Sequence, residues 1–135
     1  MKEFILFQDE LQVLFFHLPQ DGVVLLRGEV ASGKTTLVQK WVNFLGIQAE
    51  VHSPTFSLMQ KYHKETLCVY HYDLYQVGLQ GILANGLFEI FFEKALHCVE
   101  WGDEEVEKAL GRLGITSTIV EIIALEQKRK YTIYE

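Results

Sequence analysis

The sequence predicts an α/β fold, a mixed and largely parallel sheet flanked by helices and closed by a late antiparallel strand pair. Three observations carry this. Residues 23–26 form an unbroken apolar run and 96–99 a short, mostly apolar one, the pattern of strands buried on both faces. Stretches with helical spacing separate them. Two further runs near the end, residues 116–124 and 131–134, read as strands joined by a turn at 126–130.

Taken in order, residues 3–7 form a short strand. Residues 9–18 place Leu11, Leu14, Phe15 and Leu18 at helical spacing, with Asp9 as N-cap. Pro19-Gln20-Asp21-Gly22 is a turn before the strand at 23–26. A glycine-bearing loop over 28–34 leads to a helix at 35–45, stopped by Gly46. Residues 55–62 and 67–72 suit a hairpin turning at 63–66. A mostly helical stretch over 78–94 is interrupted near Asn85-Gly86, and Phe88, Phe91 and Phe92 keep core spacing within it. The strand at 96–99 delivers Glu100. Residues 103–110 make a helix whose acidic first turn suits the helix dipole.

With 135 residues, 49% of them hydrophobic, the chain reads as one globular domain over 1–135. Its two cysteines, Cys68 and Cys98, form no C-x-x-C pair, which fits a reducing, cytoplasmic setting. The start of the chain is too acidic for a signal peptide, and no apolar run reaches the ~18 residues of a membrane span. A net charge of −6 argues against wrapping nucleic-acid phosphates unaided, though not against docking on a partner that binds RNA.

Gly28-Glu29-Val30-Ala31-Ser32-Gly33-Lys34-Thr35 matches G-x-x-x-x-G-K-[ST] in full, between a buried strand and a helix. The two glycines let successive N–H groups turn inward around phosphates. Lys34 reaches the β- and γ-phosphates, Thr35 ligates Mg²⁺, and the helix N-terminus favours the anion. The fold is therefore that of a small P-loop nucleoside triphosphatase. Gly28, Ala31, Ser32, Gly33, Lys34, Thr35 and Thr36 are assigned to an ATP cradle. Such a site needs an acid near the metal at the end of a neighbouring strand. Glu100 and Asp73 both qualify, and the sequence leaves open which one touches Mg²⁺ directly. Ser53-Pro54-Thr55 is either a nucleotide-sensing switch, with Ser53 and Thr55 meeting Mg²⁺ or the γ-phosphate, or a plain turn. Trp101 is a stacking residue or a rim-packing aromatic. His71 reads as a structural histidine ahead of a metal ligand, and Lys128-Arg129-Lys130 as a solvated turn ahead of a contact for RNA or an acidic partner.

Together these motifs resemble the TsaE (YjeE) family. The matching elements are Gly33-Lys34-Thr35-Thr36, Ser53-Pro54-Thr55-Phe56, His71-Tyr72-Asp73-Leu74-Tyr75 and Val99-Glu100-Trp101, in the family's order. The resemblance implies that Lys34 binds phosphate and that Thr35 and Glu100 hold Mg²⁺. It implies that Ser53-Pro54-Thr55 is the switch and that Asp73 belongs to a motif tied to activity. It places adenine contacts near Gln8 and Arg129-Lys130. It further implies an ATPase serving a TsaD–TsaB complex that forms N6-threonylcarbamoyladenosine at position 37 of transfer RNA, meeting the RNA only through that complex. The chain departs from the family at Ala31-Ser32, at Gln76 (often Arg) and at Gly102 (often Pro). A small-molecule or nucleotide kinase is the alternative, but kinases gather cations over the transferring phosphate, and this chain has three arginines, Arg27, Arg112 and Arg129. A nucleotide-binding scaffold without turnover is a third reading.

Overall fold

The computed structural model describes residues 1–49 and 58–135. Seven strands form one sheet in the order β1-β7-β6-β2-β5-β4-β3. The strands are β1 (Lys2–Leu6), β2 (Gly22–Arg27), β3 (Met59–Lys64), β4 (Leu67–Asp73), β5 (Leu96–Glu100), β6 (Ser117–Ala124) and β7 (Arg129–Tyr134). The central four, β6-β2-β5-β4, run parallel, and β3, β7 and β1 add antiparallel pairings at the two sides. The expected mixed, mainly parallel sheet with a late antiparallel pair is observed.

Strand alternation sorts the side chains. Val24 and Leu26 of β2 join Val69, Leu96 and Cys98 against the helices α1 (Gln12–Phe15) and α2 (Lys34–Phe44), packing on Leu37, Val38 and Trp41. Val23 and Leu25 face the other way, with Tyr70, Tyr72 and Val99, against Ile82 of α3 (Gly78–Ala84) and Val106 and Leu110 of α4 (Glu104–Arg112). Helices thus cover both faces, which is why β2 and β5 lack polar alternation. α4 begins where expected: the Asp103 carboxylate accepts the Val106 N–H at 3.0 Å, and Glu104, Glu105 and Glu107 follow in the first turn.

Three expectations are corrected. The helix over 9–18 is instead a 3-10 turn at Gln8–Glu10 and the single turn of α1. Asp9 does not cap it; the Glu10 side chain accepts the Phe7 N–H at 2.8 Å. The stretch 78–94 divides into α3 and a 3-10 segment, Phe88–Phe92, because Gly86 takes a left-handed φ of 63°. That break rotates the aromatics, so Phe91 is buried whereas Phe92 is 60% exposed. The hairpin shifts: β3 begins at Met59, and Glu65, in left-handed conformation, and Thr66 make the turn. The start expected at residue 55 lies outside the described residues.

Candidate active site

The site gathers at the carboxyl ends of the parallel strands, where an open α/β sheet leaves its crevice. β2 runs into the glycine-bearing loop, and α2 begins at Lys34. A Cβ on Gly28 would lie 2.6 Å from Ser32 Oγ and 2.7 Å from the Ile122 carbonyl oxygen, so only glycine fits there. Gly33, the N-cap of α2, holds a φ of 105°, which a side chain rarely adopts. Lys34 is buried and folds back on its own loop. Its Nζ donates to the carbonyls of Gly28 (2.7 Å) and Glu29 (2.8 Å) and to Ser32 Oγ (3.3 Å). The ammonium also lies 3.9 Å from the centre of the Trp101 ring. Burial lowers the Lys34 pKa, while Glu100, Asp73 and Glu29 oppose that shift.

The acids arrive by strand parity. Val69 of β4 and Leu96 and Cys98 of β5 face α2, so His71, Asp73 and Glu100, at even offsets from them, share that face. The parallel register sets Asp73 opposite Glu100. Glu100 is 3% exposed, and both its oxygens lie within reach of the Thr35 hydroxyl, at 3.0 and 2.9 Å. Asp73 accepts the Tyr75 N–H at 3.1 Å. Burial raises its carboxyl above the usual range, and Glu100 adds to that; the Tyr75 N–H, His71 and Lys34 work against it.

A cavity of about 340 Å³ opens between these groups, lined from the loop by Ala31, Gly33, Lys34, Thr35 and Thr36. Asp73, Glu100, Trp101 and Arg129 complete it, together with Tyr75. Gly28 and Ser32 lie outside it, along a neighbouring groove, and serve the loop from behind. Ser53 and Thr55 lie outside the described residues. Thr35 and Glu100 offer a hydroxyl and a carboxylate side by side, a pair of hard oxygen donors that fits Mg²⁺, a cation held by few protein ligands plus phosphate and water. Among the described residues, Glu100 rather than Asp73 touches Thr35.

Two residues make contacts that the local sequence did not reveal. Arg129 is no solvated turn: it opens β7, and its Nε lies 2.9 Å from where a Gly33 Cβ would stand. His71 hydrogen-bonds Glu100. The spacing His71-x-Asp73 signalled one shared face but not which face. Gln8 lines a separate cavity with Phe7, Asp9, Lys40 and Gln127, just beyond Leu6, which pairs with Arg129 across β1 and β7. Gly102 packs on Leu25, which would lie 2.7 Å from an added Cβ, and this accounts for a glycine there.

Comparison with known proteins bears on the family and the fold. The family model for "Threonylcarbamoyl adenosine biosynthesis protein TsaE" matches residues 7–131. The Treponema pallidum protein named tRNA threonylcarbamoyladenosine biosynthesis protein TsaE is 36% identical over 103 residues, covering 76% of this chain and 75% of that one. The Haemophilus influenzae protein of the same name is 30% identical over 111 residues, 82% of this chain and 68% of its own. A Nostoc namesake is 36% identical over 91 residues, where the match spans 64% of this chain but only 56% of the relative. The crystal structure of YdiB from Bacillus subtilis superposes with a TM-score of 0.63 over 98% of this chain and 84% of that one; at 24% identity, the likeness is one of fold.

Proposed function

Because the chain belongs to the TsaE family, we propose that it binds Mg²⁺ and ATP in the cavity beside Lys34 and hydrolyses ATP in the service of threonylcarbamoyladenosine formation on transfer RNA. The observation that carries this reading is the meeting of Lys34, Thr35 and Glu100 at one loop.

The loop N–H groups and Lys34 neutralise the β- and γ-phosphates, holding them in line for attack. Thr35 and Glu100 hold Mg²⁺, which when bound spreads the charge developing on the phosphate oxygens. Asp73, the neighbouring acid, orients the attacking water. Trp101 covers the lysine side of the cavity and limits water there. Hydrolysis proceeds slowly on the chain alone. Arg27 is committed to Glu107 and to the Gly102 carbonyl, and Arg129 is the one guanidinium lining the cavity among the described residues. A TsaD–TsaB pair then supplies the missing closure, and hydrolysis resets that complex for another round. Ser53 and Thr55 couple the γ-phosphate to docking, and transfer RNA is met through the complex, in the cytoplasm.

The test is ATP hydrolysis and modified transfer RNA measured together, for the chain alone, with TsaD–TsaB, and with transfer RNA added. A rate that rises with the partners, and product that continues to accumulate only when this chain and ATP are present, is the expected result. Equal hydrolysis in all mixtures, with binding demonstrated, would sink the partner-activated reading.

A further inference from the structure

His71 stands beside the proposed magnesium acid. It is wholly buried, on the face of β4 that looks toward α2. Its Nε2 lies 2.5 Å from Glu100 Oε2. A carboxylate is acceptor-only, so the imidazole donates across this contact. The other buried histidine shows what a purely structural one looks like here. His97 is held at both nitrogens: Tyr72 donates to Nδ1 at 2.7 Å, and Nε2 donates to the Glu93 carbonyl at 2.9 Å. His71 Nδ1 has no hydrogen-bond partner among the described residues. Its one hydrogen bond among the described residues goes to the acid.

Glu100 needs that attachment. The Thr35 hydroxyl carries a single hydrogen yet lies at nearly equal distance from both carboxylate oxygens, 3.0 and 2.9 Å. One hydrogen cannot fix two oxygens, and a side chain 3% exposed has little water to help. We propose that His71 is a positioning residue for Mg²⁺: its Nε2–H anchors one oxygen of Glu100, leaving the remaining lone pairs aligned with Thr35 for the cation. This rests on the reading of Thr35 and Glu100 as the magnesium pair. Partners that orient metal ligands from behind typically matter ten- to a hundred-fold in metal affinity, through geometry alone.

The experiment is calorimetric titration of the full chain with ADP, with and without Mg²⁺, reading the ratio of the two affinities. Wild type gains affinity with Mg²⁺, and Glu100→Gln loses that gain. His71→Leu loses roughly tenfold of it or more. His71→Gln, whose amide N–H has similar reach, recovers it to within about threefold. An undiminished gain in His71→Leu overturns the proposal, as does an equal loss in His71→Leu and His71→Gln, which marks a packing role. If wild type shows no gain, or Glu100→Gln keeps it, the magnesium assignment itself falls and the positioning role with it. Should His71→Leu not fold, nitrogen-resolved NMR of metal-free wild type decides. A His71 Nε2–H signal displaced by Glu100→Gln supports the proposal, and its insensitivity to that change overturns it.

Discussion

Lys34 is held among carbonyls, an indole ring and three nearby carboxylates, and the balance of these contacts governs what its loss costs. Burial lowers its pKa, and Glu100, Asp73 and Glu29 oppose that shift. Lys34→Ala removes charge-assisted contacts to phosphate worth ~1.5–3 kcal/mol, so nucleotide affinity should fall about ten- to a hundred-fold. Calorimetry on a variant with native circular dichroism checks this, and unchanged affinity would remove Lys34 from the site. Asp73 is a different case. It lies opposite Glu100 yet touches Tyr75 rather than Thr35. A group that orients water without holding the nucleotide should act on the rate. Asp73→Asn is expected to lower hydrolysis by roughly 10²-fold or more while nucleotide affinity moves little. A parallel loss of affinity would instead make it a binding residue.

At the scale of elements, the loop between β2 and α2 tolerates no added atom at Gly28, since its neighbours there include a backbone carbonyl that cannot swing away. Gly28→Ala should distort the cradle at a cost of ~1–3 kcal/mol and weaken ADP binding accordingly, with the rest of the fold intact. A crystal structure of the variant with an undisturbed loop would contradict this. The same loop was the most legible part of the sequence, because each of its fixed residues answers a separate demand of phosphate binding. β5 and Glu100 were legible only because the loop itself demands an acid at a neighbouring strand end, a demand that Asp73 met equally well in sequence. The stretch from 78 to 94 was not, because Phe88, Phe91 and Phe92 fit a continuous helix as well as a broken one. Nor could His71 be joined to Glu100, since the order of strands in a sheet is invisible to local periodicity. Arg129 was hidden similarly: its approach to Gly33 depends on β7 folding back along β6.

For the molecule as a whole, a buried neutral histidine ties stability to pH. Burial lowers the His97 pKa, the contacts with Glu93 only partly offsetting it. The unfolded chain therefore takes up this proton first as pH falls through about 6.5. The His97 contribution is full above that value and declines below it until the folded form also protonates. Urea midpoints should thus drop as pH is lowered below about 6.5. His97→Gln, though less stable throughout, should show a shallower decline; identical slopes would assign the effect elsewhere. The parity of β4 has a consequence for inheritance. Tyr70 and Tyr72 fill one apolar layer while His71 and Asp73 serve the opposite side. Deleting one residue within this strand would exchange the two sets, sending an imidazole and a carboxylate into hydrocarbon and two phenols toward the side that carries Lys34 and Thr35. Removing two would keep both sets in place. Length variation among descendants of this chain is therefore confined, along β4, to even steps, a rule that a library of single and double deletions scored for folding can read directly.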